Sequence, residues 1–272
     1  MSARRRLLAR WLRQLEHVGG PEVYLSTVTP AEARAAVERF AASRSPSSRP
    51  AGPAPPSRTG AGASATARAA ATGRDASAGA AVEAALAPGA IALRVLAEEA
   101  AGCVRCRLHE GRRSVVFGEG DPSADVVIVG EAPGGEEDRT GRPFVGPAGR
   151  LLDLLLLTAG FPRERVYICN ILKCRPPNNR DPLPDEVAAC TTTFLGPQLE
   201  AIAPRALLAV GKHAAQFLFE SDAPVGRLRG RVQSWRGIPV VATYHPAYLL
   251  RSPHMARVVW EDVQLVRRIV DE

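Results

Sequence analysis

From residue 125 onward the chain alternates short apolar runs with amphipathic stretches. Asp125-Val126-Val127-Ile128-Val129, Val166-Tyr167-Ile168-Cys169-Asn170, Ala206-Leu207-Leu208-Ala209-Val210 and Val240-Val241-Ala242-Thr243 are brief and almost wholly apolar. Runs of that kind, without polar alternation, predict strands buried on both faces. Residues 151–159, 185–203, 212–219 and 255–270 repeat apolar positions at helical spacing, and Pro184 stands where the second of these would start. The alternation predicts an α/β fold over residues 99–272: a three-layer α/β/α sandwich around a central four-stranded parallel sheet.

Upstream the pattern changes. Residues 3–18 place Leu7, Leu8, Trp11, Leu12 and Leu15 on one helical side, and residues 30–42 read as a second helix with Pro30 after Thr29. Together they predict an N-terminal helical extension over residues 1–42. Residues 43–81 are Ala, Gly, Ser, Pro and Arg with almost no large apolar side chain, so a flexible linker is expected there. Residues 82–98 form a lead-in segment, with a short helix at 90–100 that delivers the chain to Cys103.

In parallel α/β sheets, ligands bind beyond the carboxyl ends of the strands. Those ends carry Glu131 and Ala132, then Asn170, then Gly211, Lys212 and His213, then Tyr244, His245 and Pro246. A carboxylate, an amide and an imidazole can therefore meet in one crevice. The first end opens into GEAPGGEEDRTGRPFVGPAGR, residues 130–150. This loop lacks the GxGxxG spacing of a dinucleotide site and the Gly-Lys-Ser/Thr step of a Walker site. Its carboxylates would also repel a pyrophosphate.

Charge and cysteine content narrow the chemistry. The net charge is +7 and nearly all of it is arginine, which suits a polyanion such as nucleic acid. A GC-rich coding bias gives the same skew. No apolar run of about 18 residues is present, so no membrane span is expected. Of the five cysteines, Cys103 and Cys106 form a CxxC, while Cys174 and Cys190 flank the loop RPPNNRDPLPDEVAA. Paired thiols in a chain without a secretory signal favour a metal over disulfides, and their spacing fits either zinc or a [4Fe-4S] cluster. Cys169 lies inside an apolar strand and reads as a core thiol.

GEAPG at 130–134, GRPFVGPAG at 141–149, VYICNILKCRPPNNRDPLPDEVAAC at 166–190 and YHPAYLLR at 244–251 together resemble the type-4 uracil-DNA glycosylases, the iron–sulfur class. The resemblance covers about two-thirds of the chain, from Ala101 onward, and leaves the first 98 residues without a function. It implies a uracil-DNA glycosylase-like fold and a [4Fe-4S] cluster on Cys103, Cys106, Cys174 and Cys190. It implies that Phe144 stacks on an extruded uracil, that the Asn170 amide bonds the base edge, and that the backbone near Ala132 adds a bond. Glu131 would position water, and His245 would donate to uracil O2 as charge develops there. Leu249 would fill the gap left in the duplex, with Arg251 and Arg175 on phosphates. Arg227, Arg229 and Arg231 form a further basic stretch. The implied partner is uracil-containing DNA, single- or double-stranded, met by a monomer in a bacterial-type cytoplasm. The rivals are an iron–sulfur protein that traps uracil-DNA covalently and a non-catalytic metal-containing DNA-binding module. The first is disfavoured because KCRPPNNRDP lacks that class's His-bearing insertion.

Overall fold

The computed structural model describes residues 87–272. The expected elements at 3–18, 30–42 and 43–81 lie outside them.

The sheet has six strands and is mixed, which corrects the four-stranded parallel sheet expected from the sequence. Its strands are β1 (Glu119–Gly120), β2 (Val126–Gly130), β3 (Tyr167–Asn170), β4 (Ala206–Val210), β5 (Val232–Trp235) and β6 (Ile238–Thr243), in the order β1-β3-β2-β4-β6-β5. The inner four run parallel, while β1 and β5 pair antiparallel on the two edges. Neither edge strand carries the apolar signature. β1 is two residues long, and β5 exposes Val232, Gln233 and Ser234, burying only Trp235. Edge strands face solvent, so their sequences need not be apolar. A two-residue turn, Arg236-Gly237, joins β5 to β6 with positive φ at both residues (48° and 85°), as tight hairpins require.

Successive residues of the central strands point to opposite faces. Val127, Val129, Leu207, Ala209 and Ala242 pack with one set of helices: α1 (Pro88–Ala101), α4 (Pro184–Cys190), α5 (Gly196–Ile202) and α6 (Lys212–Phe219). Val126, Ile128, Leu208, Val210 and Val241 pack with α3 (Pro147–Thr158), α8 (Pro246–Arg251) and α9 (Ala256–Asp271). Two short helices, α2 (Gly135–Thr140) and α7 (Val225–Leu228), lie in the connections. The lead-in helix α1 belongs to this core, since Leu93 and Ala100 are both buried in it.

The helix expected over 185–203 is interrupted. Between α4 and α5, residues Thr191–Leu195 form a π-helical turn. Pro197 has no N–H to offer the carbonyl of Thr193, which locally defeats the α-helical ladder. The last cysteine, Cys190, sits where α4 gives way to this turn.

Candidate functional site

The carboxylates of the acidic loop after β2 are largely engaged within the protein itself. Glu137 Oε1 accepts from the amides of Val145 and Gly146, both at 2.9 Å, and so holds the entrance to α3. Asp138, buried, accepts from Arg113 N at 2.9 Å. Glu136 pairs on the surface with Arg139. These bonds fix the loop around Phe144, which is buried and held at φ +48°, a region costly for a side chain with a Cβ. Arg163 secures that turn, donating to Pro143 O at 2.6 Å and to Phe144 O at 3.4 Å. Glu119 and Asp153 hold the same guanidinium at 2.6 Å each.

Phe144 meets Asn170 and His245 at the end of the central strands. A Cβ on Gly130 would fall 2.4 Å from Asn170 Oδ1 and 2.5 Å from Phe144 Cζ, so only glycine lets amide and ring come together over β2. Asn170 is 1 % exposed, and its Oδ1 has no hydrogen-bond partner. Buried acceptors are normally satisfied, so an orphaned one in a crevice suits a ligand's donor. The rings of Phe144 and His245 stack, with centroids 5.7 Å apart.

His245 precedes α8, and its Nδ1 accepts from Ala247 N at 3.1 Å. Burial pushes the imidazole down to about 4, so it is neutral at pH 7. With Nδ1 accepting, the ring proton sits on Nε2, which is a donor. The sequence placed this histidine without giving its tautomer. On the neighbouring strand end, Gly211 stands at φ +95°, and a Cβ there would press on His245 Cβ at 3.2 Å.

Glu131 is half-buried at the end of β2, followed by the half-buried Ala132. Its carboxylate lies 3.8 Å from His213 Nε2 at the start of α6, and Asp181 Oδ2 lies 3.2 Å from the same nitrogen. The three ligand atoms fall within 4.8 Å of one another, a spacing at which a cation, whether a metal ion or a protonated imidazole, is shared between carboxylates. Burial raises the Glu131 carboxyl above its ordinary value, and the His213 charge opposes that rise. His213 was legible as a strand-end residue. Asp181 was not, because nothing in RDP distinguishes it from any loop acid.

The surface residues divide differently from expectation. Leu249 is 2 % exposed and packs into the core beneath α8, whereas its neighbours Tyr248 and Leu250 are 37 % and 42 % exposed. The leucine of α8 that faces outward is therefore Leu250, whereas Leu249, the residue expected at the wedge position, faces the core. Adjacent helical residues point about 100° apart, and the sequence alone did not say which of the two faced the core. Arg251 is exposed. Arg175 bonds Asn179 Oδ1 at 2.8 Å and lies against Gly135 of the acidic loop. Arg180 is committed elsewhere, in a two-pronged bond to the buried Glu186 at 2.9 and 2.5 Å. Of the further basic stretch, Arg229 is turned inward onto Asp262 at 2.8 Å, while Arg227 and Arg231 are exposed.

Cys103, Cys106, Cys174 and Cys190 line one cavity with Arg112, Lys173 and Phe194, away from Asn170 and His245. None is in a disulfide. Arg112 donates to Cys174 Sγ at 3.4 Å and to Cys103 O at 2.7 Å, and the amide of Lys173 donates to Cys190 Sγ at 3.3 Å. Donors aimed at sulfur suit thiolates, so the set fits a metal or cluster bound by four cysteines. Without a metal charge, burial pushes the Cys190 thiol up to about 11. The buried Lys173 links this cavity to the crevice, since its Nζ donates to Asn170 O at 2.9 Å. Cys169 is fully buried in β3, as its apolar surroundings suggested.

A family model described as the uracil DNA glycosylase superfamily matches residues 117–264, which include the sheet, the acidic loop, Asn170 and His245. The chain is 45% identical over 182 residues to a type-4 uracil-DNA glycosylase of Thermotoga maritima, covering 65% of this chain and 94% of that protein. It is also 45% identical over 168 residues to a type-4 uracil-DNA glycosylase of Archaeoglobus fulgidus, covering 59% of this chain and 84% of that protein. A type-5 uracil-DNA glycosylase of Pyrobaculum aerophilum is more distant, 35% identical over 147 residues that span 48% of this chain and 64% of that protein. The chain belongs to the type-4 uracil-DNA glycosylase family.

Proposed function

We propose that this chain hydrolyses the N-glycosidic bond of deoxyuridine in DNA, releasing uracil and leaving an abasic site. The observation that carries the reading is the buried, unpartnered Asn170 Oδ1 beside Phe144. Uracil offers N3–H to that oxygen and O4 to the amide's N–H. Cytosine lacks the first and carries an amine at the second, so the same amide rejects it. Reaching this crevice requires the nucleotide to leave the base stack, at a cost of a few kcal/mol.

Bond cleavage leaves positive charge on the sugar and negative charge on the departing base. A neutral His245 with its proton on Nε2 donates to O2 as the anion forms, and its partial burial strengthens that donor. Glu131 supplies a carboxylate beyond the end of β2, on the same edge of the sheet, to orient water and offset the sugar's charge. Leu250 and Tyr248, exposed on the helix that follows His245, stand ready to occupy the vacated stack, and Arg251 and Arg175 to meet phosphates.

Cys103, Cys106, Cys174 and Cys190 would hold a [4Fe-4S] cluster. Hydrolysis requires no electron, so what such a cluster supplies is a cross-link between the segment before the sheet and the loop after β3. The proposed substrate is single- or double-stranded DNA, and the proposed setting is a cytoplasmic monomer. Among the described residues no helix is long and apolar enough to cross a membrane.

The test is uracil release from an oligonucleotide with one deoxyuridine, by wild type and His245→Ala, on protein of assayed iron content. Repeated turnover by wild type and a sharp loss in the variant are expected. A stable protein–DNA adduct at one equivalent, or no release from iron-replete protein, would overturn the reading.

A further inference from the structure

We propose that His213 is a positioning residue for the Glu131 carboxylate, acting jointly with Asp181; the role in turnover rests on the glycosylase reading above. Three separate segments meet here. Glu131 follows β2, His213 is the second residue of α6, and Asp181 comes from the loop between β3 and α4. His213 Nε2 lies 3.2 Å from Asp181 Oδ2 and 3.8 Å from Glu131 Oε2, with the imidazole side chain only 18% exposed. Lys212 Nζ reaches Asp181 at 3.4 Å from the same helix end.

The arrangement does two things. Asp181, close to His213 and accepting from Lys212, ties the loop that begins at Arg175 to the sheet's carboxyl edge. When protonated, the imidazole is also the nearest cation to a carboxylate that burial alone would drive toward its neutral form. The charged groups bearing on Glu131 are His213, Asp181 and Lys212, and of these only the two on α6 favour its ionised state. A neutral Glu131 could not offset an oxocarbenium charge, so His213 extends the ionised, working form of Glu131 toward lower pH. Asp181, whose charge by itself disfavours an ionised Glu131, holds the imidazole between the two carboxylates.

The experiment pairs two readouts on the intact, iron-replete chain. The first is the titration of the Glu131 side-chain carboxyl carbon by NMR, assigned from its disappearance in Glu131→Gln. The second is the pH profile of uracil release. In His213→Leu the carboxyl midpoint and the acid limb of kcat should both move up by about one pH unit, with KM for DNA unchanged. His213→Lys, which keeps a cation, should restore the limb, and His213→Gln substitutes for the leucine variant should that fail to fold. An unmoved carboxyl midpoint in the neutral variants would overturn the proposal, and so would a moved midpoint with an unmoved rate profile. Absence of release by wild type would instead fail the glycosylase reading, and the carbon titration would still decide whether His213 governs Glu131.

Discussion

The imidazole of His245 lies stacked on the ring of Phe144, with centroids 5.7 Å apart and planes 26° from parallel. One residue comes from a strained turn in the acidic loop and the other from the start of α8, a hundred residues later in the chain. The stack covers the imidazole, and that burial keeps it neutral. Charge state and position of the proposed donor thus have a single cause.

That cause is measurable in stability. The native imidazole titrates at about 4, against about 6.5 for an unfolded histidine. Between those values the unfolded chain binds a proton that the native chain does not, so stability falls as pH drops from about 6.5 to about 4. The loss is on the order of 2–3 kcal/mol. Denaturant unfolding across that range should show it in wild type, and His245→Gln should flatten that share of the slope. Identical slopes would contradict a buried, neutral histidine.

Asn170→Leu should separate binding from folding. The native Oδ1 makes no hydrogen bond, so its removal sacrifices none on that side. Thermal stability is expected within about 1 kcal/mol of wild type while uracil release is lost. Marked unfolding would mean that the amide is structural.

Cys174→Ala and Cys190→Ala should each lose iron, and Cys169→Ala should keep it. The first two share a cavity with Cys103 and Cys106, while Cys169 is enclosed in β3. Iron per chain and the visible absorption band decide the matter. Retention of full iron in Cys190→Ala would remove it from the ligand set.

Arg229→Leu should destabilise the fold by about 3–5 kcal/mol, the usual cost of stranding a buried partner charge. Asp262 is 1 % exposed, and Arg229 and Thr243 satisfy its carboxylate at 2.8–2.9 Å. Its effect on DNA affinity at fixed folded fraction should be negligible. A reduced salt dependence of binding would return Arg229 to the DNA surface.

Leu249→Ala and Leu250→Ala should split the two functions of α8. Truncating the buried Leu249 is expected to cost about 2–4 kcal/mol. Truncating the exposed Leu250 should change stability by less than about 0.5 kcal/mol and lower turnover on double-stranded more than on single-stranded DNA. Equal loss on both substrates would argue against a wedge.

The sequence by itself determined the four inner strands, the residues at their ends and the pairing of the cysteines in two groups. Those features are written locally: a strand buried on both faces must be apolar at every position, and glycine must stand wherever two side chains need the space of a third. The edge strands escaped because a solvent-facing strand leaves no such mark, and β1 is only two residues long. The break at Thr191 was readable in principle from Pro197. Only the tertiary structure decided which of two adjacent leucines faced outward, that Arg229 turned inward, and that Asp181 and His213 closed on Glu131. Each of those depends on how separate segments pack, and packing is a property of distances across the fold that no single stretch of sequence contains.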